Sequence, residues 1–204
     1  MTLFWVLFGQ INLSAQGVNL GIPPMRNFPK KVYGAGTQNW DATQDKYGVM
    51  YWANNEGLLR YDGTFWTCLP VANNTIVRSV AIDKQGRIFV GAQSELGYFA
   101  PERNGKLTYH SLSGLLPEAQ RNFEDVWDIV FSGDDVFFRT NKVVFQYSDG
   151  KLITHTPGGE LTALFSTLQG LLLQKDLNQI LTFSNGKFQP FVQVPELKSA
   201  LTGY

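Results

Sequence analysis

The chain has 204 residues, 44% hydrophobic and 14% aromatic, enough for one domain with a sizeable buried core and too apolar for a disordered segment. Seventeen basic residues balance seventeen acidic ones with no run of either sign, which argues against a nucleic-acid or anionic-membrane binder. Cys68 stands alone, so neither an internal disulfide nor a thiolate metal cluster can form.

Residues 1–16 read as a secretory signal peptide: an apolar stretch over 3–8 leads to a small-residue cleavage site near Ala15, although no Lys or Arg precedes Arg26. That stretch is far shorter than the roughly 20 residues of a membrane span. A plain buried strand is the alternative; export would place the mature chain in the periplasm. Residues 17–38 form a lead-in whose Pro23, Pro24 and Pro29 discourage regular structure until Val32.

From residue 39 onward two tracks of turns run in step. The first carries Gly48, Gly86, Gly133 and Gly170, the first two opened by Asp45 and Asp83. The second carries Asp62-Gly63, Asn104-Gly105, Asp149-Gly150 and Asn185-Gly186, whose glycines are 42, 45 and 36 residues apart. Asn, Asp and Gly tolerate positive φ best, so each of these dipeptides predicts a type I′ hairpin between antiparallel strands. Paired turns repeating at about 40 residues are the mark of a four-stranded propeller blade. The predicted fold is therefore all-β: a β-propeller with four blades over about 39–75, 76–120, 121–160 and 161–204. Helical signals are confined to one or two turns over 115–120 and 195–201.

The turn aspartates Asp45, Asp62, Asp83 and Asp149 are explained by bonds from their carboxylates to neighbouring backbone N–H groups, without chemistry. Asp134 and Asp135 do not make a calcium loop, and the sequence calls for no metal and no cofactor. Cys68 reads as a small buried apolar group at a strand end. His110 and His155 have no neighbours that suggest a dyad or a ligand set.

In a propeller the first strand of each blade lines the central channel, and ligands bind where those strands converge at one mouth. Aligning the turns brings Trp40, Arg78 and Trp127 to comparable early positions, with Asp41 and Asp128 beside them and Asn39, Glu124 and Asp125 close by. Indole faces with charged and amide groups suit a neutral polar ligand such as an oligosaccharide. The competing reading is that these tryptophans wedge between blades; Trp52 and Trp66 read as core or blade-edge residues. A glycosidase would need two carboxylates roughly 5 to 9.5 Å apart across a pocket, and spacing alone does not establish such a pair.

The stretch from Gly34 to Trp66 resembles the two-component-regulator propeller repeat. A D-x-x-G turn (Asp45, Gly48) leads to an aromatic strand (Trp52), a Gly-Leu pair (Gly57, Leu58) and an aromatic-Asp-Gly hairpin (Tyr61, Asp62, Gly63). The second copy keeps Asp83, Gly86 and Gly97 but carries Glu95 where the first has Gly57, and the third and fourth match only in their turns. The resemblance implies an exported sensor region of a bacterial two-component or helix-turn-helix regulator, anchored in the inner membrane as a full-length protein. It also implies a propeller of about seven blades, of which this chain would be the front portion, with output domains downstream and a homodimer as partners; a closed ring of four blades is the alternative. The expected function is non-catalytic sensing of an extracellular ligand, such as a glycan fragment. The alternatives are a propeller-fold lyase or glycosidase and a purely structural interaction module.

Overall fold

A computed structural model describes residues 25–168 and 170–193. The expected signal peptide, the beginning of the lead-in and the helical turn over 195–201 lie outside those residues.

Among the described residues, sixteen strands form four four-stranded antiparallel sheets, each a meander of consecutive strands. The first holds β1 (Asn39–Gln44), β2 (Met50–Asn54), β3 (Gly57–Tyr61) and β4 (Trp66–Leu69); the second holds β5 (Val77–Ile82), β6 (Ile88–Ala92), β7 (Glu95–Pro101) and β8 (Leu107–Ser111). The third holds β9 (Asp128–Ser132), β10 (Asp135–Arg139), β11 (Val144–Ser148) and β12 (Lys151–His155); the fourth holds β13 (Leu161–Thr167), β14 (Gly170–Lys175), β15 (Gln179–Ser184) and β16 (Lys187–Gln193). The first strands of successive sheets lie side by side, β1 on β5, β5 on β9 and β9 on β13, while β1 and β13 share no comparable contact. The chain is thus a β-propeller array of four blades with its first strands innermost.

Apolar layers between blades hold the array together. Tyr51, Ala53 and Leu58 of the first blade meet Val80, Ile88, Val90 and Phe99 of the second. Phe89 and Leu96 meet Val136, Phe138 and Phe145 of the third, and Phe137 and Val144 meet Leu164, Leu171 and Leu173 of the fourth. Blade-centre strands are therefore covered on both faces, which is why β6 is buried at every residue and reads Ile-Phe-Val-Gly-Ala without polar alternation.

The turn chemistry is more varied than the dipeptides predict. Asp149 and Gly150 (φ 48° and 74°) and Asn185 and Gly186 (φ 51° and 75°) have positive φ at both central positions, as a type I′ turn requires. At Asp62-Gly63 and Asn104-Gly105 only the glycine is positive, so the expectation of type I′ hairpins there is corrected. The Asp62 carboxylate instead accepts from the Thr64 and Phe65 N–H groups across a longer loop, and Asn104 accepts from Lys106 N–H in a loop closed by Gly105 N–H on Glu102 O. A side-chain acceptor two residues upstream stabilises a wider turn in which Asp or Asn keeps negative φ. Asp45 and Asp83 follow the same logic: each Oδ1 accepts two backbone N–H groups of its own loop.

The described part of the lead-in, residues 25–38, takes up regular structure earlier than expected. A single helical turn, α1 (Lys30–Tyr33), starts two residues before Val32 and ends at Gly34, whose φ of 65° is the usual helix-terminating conformation. Phe28 and Tyr33 pack on Trp66, with ring centroids at 5.1 and 5.6 Å, and Trp66 stacks between Trp52 and Tyr61. Where the sequence predicts a helical turn over 115–120, two short 3-10 turns form, Ser113–Leu115 and Glu118–Gln120. Cys68 is half-buried in β4, where burial pushes its thiol pKa up and its Sγ lies 3.4 Å from Glu56 O.

Candidate functional site

Three innermost strands begin with a register shift. In β1 it falls between Asn39 and Asp41, in β5 between Val77 and Ser79, and in β13 between Leu161 and Ala163. The extra residues are Trp40, Arg78 and Thr162; Trp127 holds the same place before β9, its N–H donating to Arg139 O at 2.8 Å. A bulge leaves one residue unpaired and re-aims its side chain. Equivalent positions of four consecutive blades therefore present Trp40, Arg78, Trp127 and Thr162 at the face carrying the blade-to-blade connections.

Three of these side chains converge. The Arg78 guanidinium carbon lies 4.0 Å from the Trp40 ring centroid and 5.1 Å from that of Trp127, and the indoles meet edge to face at 5.9 Å. Arg78 Nη2 pairs with Asp125 Oδ2 at 3.2 Å, and Asp125 is positioned by a bridge to Gln93. Trp40 Nε1 donates to Asn55 Oδ1 at 2.7 Å, which fixes that ring while leaving it 39% exposed. A largely desolvated guanidinium between two indoles is held by about 2 kcal/mol of cation–π attraction.

Asp41 and Asp128 do different work. Asp41 follows the β1 bulge and Asp128 opens β9 at the equivalent position without one, and each points between blades. Asp41 Oδ2 accepts from Val80 N–H of the second blade at 2.9 Å, and Asp128 Oδ2 accepts from Leu164 N–H of the fourth at 2.9 Å. The equivalent position in the second blade is Ser79, whose hydroxyl donates to Val126 O at 2.8 Å. Asp128 also accepts from Nε of the buried Arg139, whose Nη1 donates to Leu161 O. These positions staple neighbouring blades, so the five residues expected at one ligand site divide into a cluster of three and two interblade ties.

Beside Trp127 a depression of about 440 Å³ opens between the third and fourth blades, lined by Asp128, Arg139, Asn141, Glu160, Leu161 and Thr162. Sequence reading missed Glu160 and Thr162 because the fourth copy is too degraded to align, and Asn55 and Asn141 because they sit in the β2–β3 and β10–β11 loops, outside the two aligned turn tracks. Asn39 lies apart from the cluster in function: its Oδ1 accepts from the fully buried Asn54, which also donates to Gly36 O and Gln38 O and so anchors the lead-in. Glu95, at the position of Gly57, sits in a cage: Tyr109 OH, Ser111 Oγ, Ser113 Oγ and Leu96 N–H all donate to its Oε1. Burial and the Glu95 charge push the Tyr109 phenol well up, so it remains a donor. Among the described residues no three His, Cys, Asp or Glu side chains converge as a cation site.

No family model matches this sequence, and no curated protein matches it. Solved structures share the fold. The extracellular domain of BT4673 from B. thetaiotaomicron, described as a hybrid two component system, is 19% identical with a TM-score of 0.57 over 77% of this chain and 21% of that one. A catalytically inactive virginiamycin B lyase from Staphylococcus aureus, with quinupristin, is 15% identical with a TM-score of 0.61 over 78% of this chain and 57% of the lyase. An ancestral GH74 enzyme is 19% identical with a TM-score of 0.59 over 79% of this chain and 25% of its own. This chain spans about a fifth of the BT4673 domain, and identities this low establish a common propeller architecture alone.

Proposed function

We propose that this chain is the front part of an exported, non-catalytic sensor propeller of the two-component-regulator type, which binds a small polar extracellular ligand such as a glycan fragment and relays occupancy to an output module outside it. The observation that carries this reading is the Trp40–Arg78–Trp127 cluster beside an open depression, on the face where the innermost strands begin. Trp127 would cover apolar C–H surface of a sugar ring, while Asn141, Glu160 and Thr162 meet its hydroxyls. The fold it shares with an extracellular sensor domain supports the assignment and the periplasmic location; enzymes share that fold too, so architecture does not decide. Against catalysis stands the commitment of Asp41 and Asp128 to backbone N–H groups of adjacent blades.

Signalling follows if the ligand binds one packing of the blades against the downstream domains, or against a second copy in a homodimer, more tightly than another; only that difference shifts the balance. The test is calorimetric titration of the protein with a panel of neutral oligosaccharides, with product analysis of each mixture. One member of the panel should bind without turnover, and Trp127→Ala and the exposed-site variant Glu160→Ala should each weaken it at least tenfold, about 1.4 kcal/mol. Turnover of any member, or binding indifferent to both substitutions, would sink the reading.

A further inference from the structure

We propose a second ligand site, on the outer flank of the third blade, for an uncharged and mainly apolar ring compound carrying a single polar group. A cavity of about 310 Å³ lies between the connection from β8 to β9 and the β10–β11 loop, walled by Phe123, Val143 and Phe145. The two phenyl rings meet at 4.9 Å with planes 59° apart, and Phe145 is only 1% exposed, so the wall belongs to the interblade core and does not have to form on binding. Its size is at the lower end of small-molecule sites, about 300–1,000 Å³. It admits one ring compound and excludes a helix or a strand.

The polar groups around the cavity select against charged and polyhydroxylated occupants. Lys142 Nζ and Glu124 Oε1 pair with each other at 3.0 Å across the rim, leaving no net charge to attract an ion. The Thr140 hydroxyl accepts from the Lys142 and Val143 N–H groups and donates to Val143 O, and Thr154 Oγ1 donates to Gln120 Oε1 at 2.7 Å. With these groups committed, a sugar would lose hydroxyl hydration without replacement, which costs free energy, whereas an apolar ring gains by leaving water. The Asn122 carboxamide and the Thr156 hydroxyl, both exposed at the rim, remain to meet the one polar group of the occupant.

The site is distinct from the mouth depression. The loop between β10 and β11 separates them: Asn141 lines the depression, and its neighbours Thr140, Lys142 and Val143 line the cavity. Amide NMR titration of the whole chain with indole tests the proposal, with benzoate and methyl β-glucoside as comparators. Indole should give saturable shifts confined to the segments around Phe123 and 140–145; benzoate should bind at least tenfold more weakly, and the glucoside should leave those segments unmoved. Thr156→Trp, at an exposed rim position, and Val143→Phe should both block indole by filling the space. Trp127→Ala should leave the indole titration unchanged, so failure of the mouth reading and failure of this one are told apart. Diffuse, non-saturating shifts, glucoside binding in these segments, or indole binding undiminished in Thr156→Trp would overturn the proposal.

Discussion

At the scale of single residues, Asp41 and Asp128, at equivalent positions of the first and third blades, decide whether neighbouring blades stay in register. Asp128 serves two partners, the Leu164 N–H and the buried Arg139, whereas Asp41 receives the Val80 N–H and the N–H of Ala42 beside it. Removing Asp128 strands a charge that is nearly out of water, and breaking such a pair costs about 3–5 kcal/mol. Removing Asp41 leaves one backbone donor unmet between blades, about 1–3 kcal/mol. Urea unfolding should therefore rank Asp128→Ala well below Asp41→Ala in stability; equal losses would mean that Arg139 finds another partner.

His155 gives a pH prediction at the same scale. It sits edge-on to Phe183 and Phe188 with Nε2 2.8 Å from Gln146 Oε1, and burial holds its imidazole below the ordinary histidine range. The unfolded chain takes up this proton more readily than the folded one, so the contribution is intact above the unfolded value near 6.5 and is lost as pH falls through the lower folded value. The urea midpoint should drop between pH 7.5 and pH 5, and His155→Gln should show a smaller drop. An unchanged slope in the variant would assign the pH dependence to other groups.

At the scale of elements, close approach decides which strand positions accept a side chain. Gly57 has φ 131°, and a Cβ there would lie 2.4 Å from Leu69 O, so Gly57→Ala must strain the β3–β4 pairing. Its counterpart Glu95 has no positive φ and is accommodated by the cage of hydroxyls described above. Gly57→Ala should cost about 1–3 kcal/mol, read as a lowered denaturant midpoint with an unchanged m-value. Phe89 ties the second blade to the third. It is fully buried, with Tyr98, Phe131, Phe138 and Tyr147 around it in tilted or edge contacts. Phe89→Ala should lose about 3–5 kcal/mol; a loss below 1 kcal/mol would show that the blades collapse onto the space.

At the scale of the whole molecule, the array differs at its two ends. The outer face of the first blade is covered by the lead-in, through Phe28 and Tyr33 on Trp66, while Phe165 and Phe191 in the fourth blade stay 46% and 53% exposed. Residues 28–33 of the lead-in are thus part of the folded unit. The double variant Phe28→Ala and Tyr33→Ala should lower stability by about 1–3 kcal/mol, from one edge and one tilted ring contact of about 0.5–1.5 kcal/mol each, and shift tryptophan emission to the red. Unchanged emission would mean that Trp66 is covered by other groups.

The fold was legible along the chain because turns are local. Glycine at positive φ, and Asp or Asn accepting nearby N–H groups, mark hairpins wherever they occur, and their period sets the blade. Trp40, Arg78 and Trp127 were legible as equivalent positions for the same reason. The chain alone could not disclose that Arg78 lies between the two indoles, or that Asp41 and Asp128 turn into the interblade seam. A bulge inserts one residue without changing composition, and each of these contacts joins residues about 36 or more apart that meet only when blades pack. Turn type at Asp62 and Asn104 was likewise decided by loop closure in three dimensions, since the same dipeptide serves a tight turn or a wider one.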